Sequence, residues 1–260
     1  MKVVIIGSGN VATVMGGRIA TAGHTILQVV ARREEPAARL AAAWGCGYTT
    51  QWKETNREAD IYIISISDRA LEGLGAVLQL PGKLVLHTAG AVAGHVLLTV
   101  SANSGVLYPL QSLRSEIRPF PEFPLLVTAN QAEDLPAIEA FARTIARQVQ
   151  RTDDATRLKL HVAATLVSNF SNFLYTQASV FCREEKLDFS LLQPLIRETA
   201  DRIARFAPQD VQTGPAIRGD KETIQRHLEI LNNYQDLSEL YKLFTIQIEH
   251  FYRNQENTGS

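Results

Sequence analysis

The sequence predicts an α/β chain: a doubly wound, mainly parallel sheet over residues 1–153, followed by an all-helical part over residues 154–260. Two observations predict it. Short β-branched runs alternate with helical segments as far as residue 151, and such alternation implies right-handed crossovers in a parallel sheet. From residue 155 to residue 185 neither proline nor glycine occurs, which is room for a helix of roughly eight turns.

Residues 2–6 (KVVII) are a continuous apolar run, as expected of a strand covered on both faces. Similar runs follow at 25–31, 60–65, 83–87, 105–107 and 124–128, and residues 148–151 read as the last strand. Helices are expected at 11–22, 36–44 and 69–79, with Gly23 ending the first and Asp68 capping the third. The hinge is placed near Asp153, where TDD offers cap oxygens to the long helix. The tail, residues 254–260, is expected to fray.

The net charge of -1 gives no bulk-charge case for nucleic acid or an anionic membrane. Cys46 and Cys182 stand far apart in no metal-like spacing, which suits a reducing cytoplasm and excludes a disulfide framework. The apolar start VVIIG is too short for a signal peptide or a membrane span. No repeat or low-complexity tract appears.

The first turn is GSGNVA, directly after a strand and before a helix. Gly7 permits the tight turn, Gly9 lets a pyrophosphate approach the backbone, and Ala12 allows close helix–strand packing. The phosphates of a dinucleotide would sit on the free N–H groups where Asn10 and Val11 open the helix. At the end of the second strand, where an acidic residue would hold an NAD ribose, the chain has Arg32 and Arg33. Two guanidinium groups suit a 2′-phosphate, so NADP is expected, although Glu34 and Glu35 leave open a solvated charge run. The nicotinamide end would extend toward Ser65, Ser67, His87 and Thr88, because ligands bind beyond the carboxyl ends of such strands.

On the long helix His161, Thr165, Ser168, Asn169, Asn172, Thr176 and Ser179 form a polar stripe free of Lys and Glu, expected to look into a cleft. His161 is either a catalytic acid with Asn169 beside it or a satisfied core histidine; His87 is the second candidate for the proton. His24, His95 and His250 are read as structural.

These stretches resemble a known family: GSGNVA, HTAGAV from His87, YPLQSL from Tyr108, HVAATLVSNF from His161, and TGPAIRGD with His227 downstream. The chain resembles Rossmann-type proteins provisionally assigned as NADP oxidoreductases, whose C-terminal half is domain of unknown function 2520. It is more distantly similar to pyrroline-5-carboxylate reductase and the F420-dependent NADP reductases. The resemblance implies an oxidoreductase moving hydride between NADPH and a small C=N or C=O substrate, dimeric through its helical half. His161 and Asn169 match the family; Tyr108 replaces a histidine usual in HPLQ, which puts that position's acid–base role in doubt. Tyr108, Gln111, Thr165 and Thr213 are implied substrate contacts. So is Arg218, as an anion fork, with Asp220 capping the next helix; alternatively Arg218 and Asp220 pair to stiffen the loop. The site is expected between the two halves. A non-catalytic NADP-binding sensor and an F420-dependent reductase remain as alternatives.

Overall fold

The structure, a computed structural model, describes residues 1–258. Eight strands form one sheet: β1 (Lys2–Ile6), β2 (Thr25–Val30), β3 (Gly47–Thr49), β4 (Ile61–Ile64), β5 (Leu84–His87), β6 (Ser104–Pro109), β7 (Leu125–Ala129) and β8 (Val149–Arg151). Their order is β3-β2-β1-β4-β5-β6-β7-β8, parallel except where β6 meets β7. The chain winds one way from β1 to β3 and the other way from β4 onward, so the switch point lies at the carboxyl ends of β1 and β4.

β1 shows why an unbroken apolar run belongs here. Val3 and Ile5 face one core with Ile19 and Phe141, whereas Val4 and Ile6 face the other with Leu71, Leu74 and Leu97. All four are fully buried. A strand with a wet face could not carry that pattern.

Helices α1 (Asn10–Thr21), α2 (Glu34–Trp44), α3 (Asp68–Leu71) and α4 (Leu135–Ile145) connect the strands. Gly23 ends α1 at φ +82, as expected. Two readings need correction, and one strand is added. The expected helix over 69–79 is only the four-residue α3 and a 3₁₀ turn, Leu74–Ala76, because Gly73 and Gly75 interrupt it. Asp68 is not its cap: Ser67 occupies that position, and Asp68 is the first helical residue. The edge strand β3 was not foreseen, since GYT carries no β-branched run.

The long helical run exists but is not uniform. α5 (Asp154–Ala164) starts on the Asp153 cap, whose side chain accepts from the Thr156 N–H. A π-helical stretch, Thr165–Phe170, then leads into α6 (Ser171–Glu184). The wider π turns break the 100° step, so the stripe does not keep one phase along the run.

The chain divides into two compact units, Met1–Ser171 and Asn172 onward. The first therefore keeps α5, past the hinge expected near Asp153. The reason is local: Leu160 packs on Val106, Tyr108 and Leu126, and Asp154 accepts from the Gly94 N–H at 3.2 Å. The second unit holds α6, α7 (Gln193–Ile203), α8 (Pro215–Arg218), α9 (Lys221–Ile230) and α10 (Gln235–Thr258), with no strand among the described residues. The tail expected to fray is helical to Thr258, and residues 259 and 260 lie outside the described residues. No described helix is long and apolar enough to cross a membrane.

Candidate active site

Ile6, Ile64, His87 and Val106 stand side by side in register across β1, β4, β5 and β6. The residues just beyond them, Gly7, Ser65 and Thr88, with Tyr108 near the end of β6, form the rim of the sheet. Two cavities open there, both within the first unit.

One cavity, of about 680 Å³, is lined by Gly7, Gly9, Arg32, Arg33, Ser65 and Ser67, and also by Trp52 and Arg69. Gly7 sits at φ +124, and a Cβ there would lie 2.1 Å from the Ser65 carbonyl oxygen, so only glycine fits. A Cβ at Gly9 would meet nothing within 4 Å, which leaves the backbone open to a ligand. No side chain caps α1, so its first N–H groups are free for an anion. Among the described residues the lining includes no carboxylate. Glu34, the proposed counter-charge, instead accepts from the Tyr48 hydroxyl at 3.1 Å, and among the described residues Arg32 and Arg33 form no ion pair.

The second cavity, of about 560 Å³, is lined by Val11, Thr88, Tyr108, Gln111, His161, Thr165, Ser168 and Asn169, among others. It is mostly apolar with a few converging polar groups, the usual character of a small-molecule site. The Thr88 hydroxyl donates to Ser65 Oγ at 3.1 Å, so the residue pair dividing the two cavities is bonded across the rim. Tyr108 Oη and His161 Nδ1 are 2.9 Å apart, with their rings edge to face. Burial, foremost, pushes the Tyr108 phenol above its ordinary value, against the opposing pull of Arg157.

His87 stands apart from both. Its ring is fully buried, Nδ1 accepts from the Ala89 N–H at 3.2 Å, and burial with the Arg157 charge drives it down to about 4. Nε2 has no hydrogen-bond partner among the described residues. A neutral, enclosed imidazole is a poor proton donor at pH 7. Asn10 lines neither cavity; its side chain accepts from the Ser115 N–H at 3.3 Å.

Arg157 is the residue that sequence reading missed. It is 1% exposed, ion-pairs with Asp154 at 2.8 Å, and donates to the carbonyls of Gly90 and Val92. It thereby ties the HTAGAV loop to α5. Gly90 lies under the pair: a Cβ there would fall 2.7 Å from His161 Nδ1 and 2.8 Å from the Tyr108 ring. In sequence Asp154 and Arg157 look like an ordinary i,i+3 pair on a helix surface.

Thr213, Arg218 and Asp220 belong to the second unit. Gly214 (φ +112) and Gly219 (φ +64) bracket α8, which explains the glycines of TGPAIRGD. Asp220 caps α9 as expected, accepting from the Thr223 N–H at 3.1 Å and hydroxyl at 2.8 Å. Among the described residues no ion pair joins it to Arg218, so the stiffening pair is not formed. Thr213 lines an apolar cavity with Leu174, Leu237 and Tyr241, and Tyr241 bonds His227 at 2.8 Å.

Residues 2–90 match the family model described as NADP oxidoreductase, coenzyme F420-dependent, and residues 123–248 match the domain of unknown function DUF2520. The crystal structure of the provisionally named NADP oxidoreductase BF3122 from Bacteroides fragilis is 34% identical, covering 96% of this chain and 98% of that one, at a TM-score of 0.87. The chain belongs to this NADP oxidoreductase family.

The NADP oxidoreductase shares its fold with the 1-pyrroline-5-carboxylate reductase of Streptococcus pyogenes at 13% identity, 96% and 98% coverage and a TM-score of 0.65. It also shares it with the reductive aminase of Aspergillus terreus, solved with NADPH and ethyl-5-oxohexanoate, at 19% identity, 99% and 94% coverage and 0.63. No curated protein matches. As a family member the chain is an oxidoreductase with NADP as cofactor. The first cavity fits that group: an uncapped helix start for the pyrophosphate, open backbone at Gly9, and two guanidiniums in the lining for a 2′-phosphate.

Proposed function

We propose that this NADP oxidoreductase reduces a small C=N or C=O compound in the cavity that holds Tyr108 and His161. The observation that carries the reading is the 2.9 Å Tyr108–His161 pair, set across the Ser65–Thr88 contact from the cofactor cavity. Reduced nicotinamide, when bound, supplies the hydride. The chain's own residues have three tasks. Gly7, Gly9, the backbone N–H groups of Asn10 and Val11, and the side chains of Arg32 and Arg33 would hold the phosphates, and Ser65, Ser67 and Thr88 the nicotinamide end. Gln111, Thr165 and Asn169 orient the substrate. The Tyr108–His161 pair supplies the proton, a role that His87, buried and neutral, cannot fill. For Thr213, Arg218 and Asp220, the proposed substrate contact rests on sequence resemblance alone.

The test is NADPH consumption against cyclic imines, open-chain imines and simple ketones, with products identified by mass spectrometry. Consumption with none of them removes the reading. Oxidation of reduced coenzyme F420 instead would favour the deazaflavin alternative that the family model's name suggests. Cofactor-induced stabilisation without any turnover would favour the sensor.

Cofactor choice has its own test. NADP should raise the melting temperature more than NAD at equal concentration, since a ligand that binds the native state stabilises it by mass action. Replacing Arg32 and Arg33 together by alanine should remove most of that difference. Equal shifts with both cofactors in the unaltered protein would refute the assignment.

The proposal includes a homodimer built through residues 154–260, in a reducing, cytoplasmic setting that suits the two free cysteines. Support comes from apolar side chains that the single chain leaves bare. Val167 is 74% and Leu191 75% exposed, and Phe170, Phe173, Leu195, Phe206 and Ile246 are each at least half exposed. Solvated surface of that kind normally finds a partner. Sedimentation velocity should give a dimer at micromolar concentration, and a monomer alone would reject it.

A further inference from the structure

The pair in the second cavity contains two groups able to move a proton, and they are not equivalent. Tyr108 sits near the end of β6, the strand beside β5 in the sheet, with its ring wedged against Leu126 and Leu160. His161 is on α5 and keeps partial solvent access. Gly90 leaves both rings in place by having no side chain. The fixed group is thus the phenol, and the group in touch with water is the imidazole.

We propose that Tyr108 and His161 form a two-member proton relay, in which the Tyr108 hydroxyl protonates the substrate and His161 restores it. This rests on the reductase reading given above. In the step, hydride from NADPH, the two-electron reductant, forms a C–H bond at the substrate carbon and leaves NADP⁺. The π electron pair moves onto the nitrogen or oxygen, which takes the Oη proton, so the Oη–H bond breaks as an N–H or O–H bond forms. The phenolate then takes a proton from His161 Nδ1, and the ring is recharged from solvent. The charged groups felt at Tyr108 are Arg157 of α5, which stabilises a phenolate, and Asp68 of α3, which opposes it. Burial keeps the phenol protonated between turnovers, as a donor must be. The acid–base role that the sequence resemblance put in doubt at Tyr108 is therefore kept.

Two measurements test this, and the first needs no substrate. The His161 ring nitrogens are followed by ¹⁵N NMR at one fixed pH, their signals identified by loss in His161→Asn, in the unaltered protein and in Tyr108→Phe. Loss of the Tyr108 hydrogen bond should move the Nδ1 signal while the fold is unchanged. An identical Nδ1 signal in both proteins overturns the relay. The second uses whichever substrate the panel reveals. Tyr108→Phe should lower kcat by about 10²-fold with KM for NADPH unchanged, and Tyr108→His should recover much of the rate with an altered pH profile. A kcat for Tyr108→Phe within about twofold of the parent would overturn the donor role, whatever the Nδ1 signal shows. Should no substrate turn over, the reductase reading fails, while the Nδ1 signal still decides whether the two groups share a proton.

Discussion

His161→Ala should lower turnover by about 10²–10⁴-fold while leaving NADP affinity nearly unchanged, the range expected for removal of one positioned acid–base group. The split follows from where the ring lies. His161 lines the cavity of Tyr108 and Thr165 and has no place among the residues of the cavity that carries Gly9, Arg32 and Arg33. Its loss strips Tyr108 of the 2.9 Å partner and opens space beside Gly90, while Gly7, Gly9, Arg32 and Arg33 line the other cavity. Binding is read by titration calorimetry with NADP and turnover by steady-state NADPH oxidation over many cycles. A rate within about threefold of the parent would mean that the histidine only fills the cavity wall.

Asp154→Ala should cost about 3 kcal/mol of stability, the lower end for breaking a buried ion pair. Arg157 is 1% exposed, so its charge cannot reach water once the carboxylate at 2.8 Å is gone. Asp154 itself is 42% exposed, which lets solvent approach from that side and holds the cost below the upper end. The Gly94 N–H also loses its acceptor. For a chain of this size the change corresponds to a fall in melting temperature of about 10 °C. The internal control is Glu222→Ala. Its pair with Arg226 is exposed on both sides, and such pairs contribute about 0–1 kcal/mol. Equal melting temperatures for the two variants would show that Arg157 does not depend on its carboxylate. Because Arg157 bonds the Gly90 and Val92 carbonyls, Asp154→Ala should also loosen the loop beneath Tyr108 and His161.

Local chemistry determined much of this protein. The run KVVII needs cover on both faces, and GSGNVA between a strand and a helix needs glycine where φ is positive. Those two facts alone led to the doubly wound sheet, the switch point and the cofactor turn. Asp153 and Asp220 were legible as caps for the same reason, since a cap is a contact within three residues. What the sequence left open depends on contacts between distant residues. The i,i+3 spacing of Asp154 and Arg157 suits a wet helix surface; only the HTAGAV loop, some 60 residues earlier, makes it a buried clamp. Tyr108 and His161 are 53 residues apart, and no pattern in either segment pairs a strand-end phenol with a helical imidazole. His87 looked like a rim histidine by position, yet its side chain turned into the sheet's interior, a choice made by the packing around it. The stripe of small polar residues presumes a constant helical step, and the π turns at Thr165–Phe170 change that step where backbone hydrogen bonds, not residue types, set the phase. Sequence fixes what a residue can do next to its neighbours; burial and long-range pairing, which set dielectric and partner, exist only once the chain has folded.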